Sequence, residues 1–145
     1  MKKILILANN DVGLYKFRKE LVLELLKDNE VYISLPYGGF VDLLIKMGCK
    51  FINTNIGRRS KNPFKDLFLL NTYKRIIKKI KPDVILTYTI KPNIYGAIAS
   101  KGKIPILANI TGLGSAVENP GLIQKITLFL YRIATPKMKV IFFQN

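Results

Sequence analysis

Short apolar runs alternate with helix-patterned segments along the whole chain. Lys3–Ala8, Val31–Leu35, Lys50–Asn53, Asp83–Tyr88, Ile104–Asn109 and Lys139–Phe143 read as strands. The first and fourth are nearly unbroken apolar runs, the pattern of strands covered on both faces of a parallel sheet. Between them, Leu14–Lys27 puts Phe17, Leu21, Val22 and Leu25 on one side of a helix, with Arg18, Lys19, Glu20, Glu24 and Lys27 elsewhere. Val41–Met47 stops at Gly48, a residue suited to a helix carboxyl cap. Pro63–Lys79 has Asn62 as its cap and Pro63 at its first position, and it ends before Pro82. Ile94–Ser100 ends near Gly102, and Leu122–Ala134 lies between Gly121 and Pro136. This alternation predicts an α/β protein: a three-layer, Rossmann-like, doubly wound parallel sheet of about six strands with right-handed crossovers.

No apolar run approaches the ~18 residues of a spanning helix. The start, Met1-Lys2-Lys3, leads into an apolar run too short for a secretory signal, so it reads as a strand. A single cysteine, Cys49, excludes an internal disulfide, and with no histidine it leaves no zinc site and no histidine base. The net charge of +15 is uneven. Between positions 58 and 81 stand Arg58, Arg59, Lys61, Lys65, Lys74, Arg75, Lys78, Lys79 and Lys81 against Asp66 alone. Such a stretch is either a solvated helix face or a surface for polyanions: anionic lipid, diphosphate or nucleic acid. No zinc-finger spacing or RNA-binding aromatic signature is present, so no nucleic acid is expected.

Loops leaving the carboxyl ends of parallel strands line the ligand crevice of such folds. Three loops qualify. The first, Asn9-Asn10-Asp11-Val12-Gly13-Leu14, lacks Gly-x-Gly-x-x-Gly, which disfavours a dinucleotide, and the chain has no P-loop. It reads either as a polar holder of a hydroxyl-rich or anionic group, or as a turn capped by Asn and Asp. The second, Tyr88-Thr89-Ile90-Lys91-Pro92-Asn93, opens a helix at Pro92 and sets Lys91 beside its positive end, unless that lysine is simply solvated. The third, Asn109-Ile110-Thr111-Gly112-Leu113-Gly114, permits close backbone approach. Asn9, Gly13, Arg18, Tyr88, Thr89, Lys91, Asn93, Thr111, Gly112 and Gly114 are therefore the candidate binding residues. Asp11 and Glu118 are the acids in or near these loops and the candidate bases. Asp83, after Pro82, reads as structural, and Asp42 and Asp66 read as solvated. No metal site is expected.

These residues resemble a known family. Phe17-Arg18 with Leu21, Pro82-Asp83-Val84, the run Tyr88–Gly96 and Asn109–Gly114 resemble the amino-terminal domain of bacterial family 4 glycosyltransferases. The nearest branch builds capsule, O-antigen and related glycans on undecaprenyl-diphosphate carriers. The resemblance covers essentially the whole chain and implies one half of a GT-B enzyme. On that reading residues 1–145 are the acceptor-side domain, and a carboxyl-terminal domain carrying the donor-binding glutamates is missing. The full-length enzyme would transfer a hexosyl or N-acetylhexosaminyl group from a nucleotide-sugar to a lipid-diphosphate-linked glycan. This domain would bind no cofactor of its own, and alone it would be inactive. It would sit peripherally on the cytoplasmic face of the cell membrane, with Arg58, Arg59, Lys61, Lys74, Arg75, Lys78 and Lys79 toward anionic lipid. Many members use an amino-domain histidine, which this sequence lacks, so the base stays open. The alternative is a non-catalytic, membrane-recruiting subunit of a split glycosyltransferase. An ending at Gln144-Asn145, directly after a core strand, suggests a fragment.

Overall fold

The computed structural model describes residues 1–57, 62–112 and 114–144. Arg58, Arg59 and Lys61 of the basic stretch, and Leu113, lie outside the described residues. Six parallel strands are present among the described residues: β1 (Lys2–Leu7), β2 (Asn29–Leu35), β3 (Lys50–Asn53), β4 (Val84–Tyr88), β5 (Ile106–Ile110) and β6 (Val140–Phe143). Their order across the sheet is β3-β2-β1-β4-β5-β6. The chain starts in the middle, winds outward to β3, then returns to the far side of β1. The point of reversal between β1 and β4 is where an open α/β sheet opens a crevice at its carboxyl edge.

Helices α1 (Asp11–Asp28) and α2 (Val41–Met47) cover one face, and α3 (Pro63–Ile80), α4 (Ile90–Ser100) and α6 (Leu122–Ala134) cover the other. A single turn, α5 (Ser115–Glu118), precedes α6. β1 supplies both cores: Leu5 and Leu7 face α3 and α4, while Ile4 and Ile6 face α1 and α2. Burial on both sides is why that strand reads as a continuous apolar run. α4 lies between α3 and α6 with nearly its whole length buried. It approaches the sheet so closely at Gly96 that a Cβ there would fall 2.8 Å from Leu7 Cδ1.

Three local expectations need correction. α1 begins at Asp11 rather than Leu14, because the Asn10 side chain accepts a 2.6 Å hydrogen bond from Gly13 N and caps the helix earlier. The expected inner face of α1 holds only in its second half: Val22 is buried and Leu25 packs against the core, but Phe17 and Leu21 are 75% and 41% exposed and Leu14 is buried in their place. The cause is Arg18, whose φ of −135° and ψ of 15° break the helical repeat at mid-length. α4 starts four residues early, at Ile90, since Pro92 in its first turn lacks only an N–H that would have had no intrahelical acceptor.

Candidate functional site

The loops after β1, β4, β5 and β6 enclose a crevice of about 640 Å³ at the switch point. From β1 and α1 come Ala8, Asn9, Asn10, Gly13, Leu14, Phe17 and Arg18. Tyr88 ends β4 and Thr89 follows it, Thr111 follows β5, and Gln144 follows β6. Asn9, Gly13, Arg18, Tyr88, Thr89 and Thr111 are thus brought together from the expected set. Asn10 and Leu14 come from the first of the expected crevice loops, whereas Ala8, Phe17 and Gln144 were not foreseen. Gln144 could have been found by carrying the strand-end rule on to the sixth strand.

Arg18 is the one charged residue among the described residues of this lining. The break in α1 turns its guanidinium across the crevice. There it lies 4.4 Å from the Tyr88 ring centroid, donates to Gly13 O at 3.3 Å and donates to Gln144 Oε1 at 2.7 Å. Burial pushes the Tyr88 phenol above its ordinary pKa, and the neighbouring guanidinium partly opposes that rise. Thr89 caps α4 with φ 74° and ψ 168°, a region held almost exclusively by glycine. Its buried hydroxyl has no hydrogen-bond partner among the described residues.

A polar lattice stands beneath the crevice. Thr87 Oγ1 donates to Asn93 Oδ1 at 2.6 Å, and Asn93 Nδ2 donates to Asn109 O at 3.0 Å. Asn109 Nδ2 returns to Thr87 O at 3.3 Å, and Gln144 Nε2 reaches Asn109 Oδ1 at 3.5 Å. These bonds tie β4, α4, β5 and the end of β6 together under the Arg18 side chain.

Several candidates stand elsewhere. Asn93 is fully buried in this lattice with both amide atoms engaged, so it supports the crevice rather than lining it. Lys91 turns away to α3, where its Nζ meets Asp66 Oδ1 and Gly57 O, each at 2.7 Å. Its partner Asp66 is correspondingly half-buried and ion-paired instead of solvated. Asp11 is 6% exposed and accepts from Phe40 N at 2.7 Å, so it pins the loop after β2. That loop passes at Gly38, where any side chain would strike the Asp11 carboxylate. Gly112 and Gly114 both hold positive φ beside the crevice but outside its lining, and Glu118 is exposed on α5. Asp83 does cap the sheet, accepting from Lys3 N at 2.7 Å.

The described cations of the basic stretch, Lys65, Lys74, Arg75, Lys78 and Lys79 on α3 and Lys81 at its carboxyl cap, are exposed. Its amino-terminal half exposes Phe64, Leu67 and Phe68, and the Arg75 guanidinium lies 6.0 Å from the Phe68 ring centroid. Among the described residues, no helix is long and apolar enough to cross a membrane.

A model of the family described as glycosyl transferase 4-like matches residues 3–145. The chain belongs to that family. A similar curated protein is the N,N'-diacetylbacillosaminyl-diphospho-undecaprenol alpha-1,3-N-acetylgalactosaminyltransferase of Campylobacter jejuni, 30% identical over 131 residues. The alignment covers 86% of this chain but 34% of that relative, so this family 4 chain spans about a third of its length. Among solved structures, Acinetobacter baumannii MurG superposes with a TM-score of 0.63 and 20% identity, over 97% of this chain and 40% of the other. A glycosyltransferase from Rickettsia africae gives 0.64 and 23% over 81% and 32%. The S. aureus MnaA–UDP structure gives 0.66 and 17% over 98% and 37%. At these identities the structures establish the fold: the α/β, Rossmann-like class expected from the sequence, shared with part of longer chains.

Proposed function

We propose that this family 4 domain is the acceptor side of an enzyme that transfers a sugar from a nucleotide-sugar to a lipid-diphosphate-linked glycan in bacterial surface polysaccharide synthesis. The observation that carries this reading is the switch-point crevice. Among the described residues it combines hydroxyl and amide groups with one cation and no carboxylate, which suits a polyhydroxylated, anionic ligand. The Campylobacter relative acts, by its name, on a diphospho-undecaprenol acceptor. A carboxyl-terminal domain would hold most of the nucleotide-sugar. The exposed Phe64, Leu67 and Phe68, followed along α3 by Lys74, Arg75 and Lys78, suit peripheral contact with the anionic inner face of the cell membrane.

The test is a transfer assay with a nucleotide-sugar panel and a membrane lipid extract. It compares this chain alone with the chain joined to a family 4 donor-binding domain. Turnover by the joined protein alone is the expected result. No turnover by either, with every donor in the panel, would overturn the reading.

A further inference from the structure

We propose that the slot between α3 and the edge strand β3 seats an extended, acidic segment of a partner protein. The slot shares no lining residue with the crevice, so this assignment stands apart from the glycosyl-transfer reading. Its volume is about 390 Å³. The floor is apolar, made by Tyr32 and Ile52 on the sheet and by Ile76 and Ile80 on α3, and it offers room for an apolar anchor. The rim is cationic. Lys50 is already ion-paired with Glu30 at 2.8 Å, but Arg75 and Lys79 have no acidic partner among the described residues.

The slot opens at a sheet edge. β3 ends the sheet on its side, and the described residues form no ladder beyond it. Its length of 4 residues and its Lys50 discourage pairing with another basic edge. A second copy of this chain is the wrong occupant for the same reason, since each copy carries a net charge of +15. An acidic strand is attracted instead. Alternate residues of an extended segment point to one face, about 6.6 Å apart. Arg75 and Lys79 stand four residues apart on α3, a rise of about 6.0 Å. A segment laid beside β3 therefore offers an acid to each cation. It sets an apolar side chain at the next alternate position into the slot and takes main-chain hydrogen bonds from the strand edge.

Binding is measured by fluorescence anisotropy on the full chain with a labelled peptide, acetyl-Thr-Glu-Thr-Glu-Thr-Leu-Thr-amide. One control peptide has serine in place of leucine, and a second has lysine in place of both glutamates. The acidic, leucine-bearing peptide is expected to bind, and each control to bind about tenfold more weakly or worse. Arg75→Glu with Lys79→Glu is expected to weaken the peptide by a similar factor. Lys101→Glu with Lys103→Glu makes the same change in net charge ahead of β5, away from the slot, and is expected to leave the affinity unchanged. All four side chains are exposed, so neither double variant disturbs the core. Amide exchange within β3 is expected to slow when the peptide binds. No saturable binding, equal affinity for the serine control, or equal losses in the two double variants would overturn the seat. Phosphatidylglycerol vesicles are the last probe. Vesicle binding that falls in Arg75→Glu with Lys79→Glu, with no peptide bound by the unaltered chain, would overturn the peptide seat and assign the slot to a lipid surface.

Discussion

Replacing Asn93 by alanine tests whether the crevice floor is structural. Asn93 is fully buried, and its amide both accepts from Thr87 Oγ1 and donates to Asn109 O. Truncation strands a hydroxyl that is itself fully buried and removes one donor from a strand carbonyl. Each buried group left unsatisfied costs about 1–3 kcal/mol, so about 2–6 kcal/mol in total. A chain of 145 residues has roughly 7–20 kcal/mol of stability at ~0.05–0.15 kcal/mol per residue, so the variant still folds. Urea unfolding at a slope near ~2 kcal/mol per molar should show the midpoint falling by about 1–3 M. Thr87→Val removes the hydroxyl that Asn93→Ala strands. In that background the alanine substitution should cost about 1 kcal/mol less than in the wild type. A midpoint shift below about 0.3 M, or strict additivity of the two changes, would refute the lattice as described.

Two further outcomes follow from packing and burial. Gly96→Ala places a methyl 2.8 Å from Leu7 Cδ1 and 3.1 Å from Thr87 Cγ2, so α4 must lift from the sheet. We expect a loss of about 1–3 kcal/mol in chemical unfolding, and a neutral result would mean that α4 packs less closely than described. Burial raises the Cys49 thiol to about 11, above the ordinary value of 9.0. The unfolded chain releases this proton first, so the thiol's contribution to stability is complete below pH 9 and fades as pH rises toward 11. In native buffer at pH 8, Cys49 should resist a disulfide reagent and react only when denaturant is added; rapid native labelling would contradict its burial.

What was legible in the sequence is what one chain segment dictates by itself. The apolar runs of β1 and β4 specify buried strands because both of their faces need covering. Pro63 and Asn62 specify where α3 starts because cap chemistry is local, and the Asn62 side chain does accept from Phe64 N at 2.9 Å. Strand-end loops specify where a crevice lies because topology places them there. What stayed hidden depends on partners distant in sequence. Lys91 and Asp66 are 25 residues apart and meet only because α3 packs on α4. Asp11 is claimed by a loop 29 residues away. The break at Arg18 leaves no mark in hydrophobic periodicity, and it moved Phe17 from the expected core to the crevice rim.

The acids explain why one cation stays unpaired in the crevice. Asp66 neutralises Lys91, Glu30 pairs with Lys50, Glu24 with Lys27, Asp83 holds the Lys3 amide and Asp42 accepts from Tyr37. Asp11, the acid nearest in sequence to the crevice, is pinned under the β2–α2 loop. Six of the chain's 9 acids are thus held in structural partnerships, no described residue of the crevice lining is an acid, and the field there is set by Arg18 and the helix amino ends. An anion entering there meets no repulsion. The same arrangement removes Asp11 from the candidate bases, since a carboxylate enclosed by Gly38 and Phe40 does not reach a ligand.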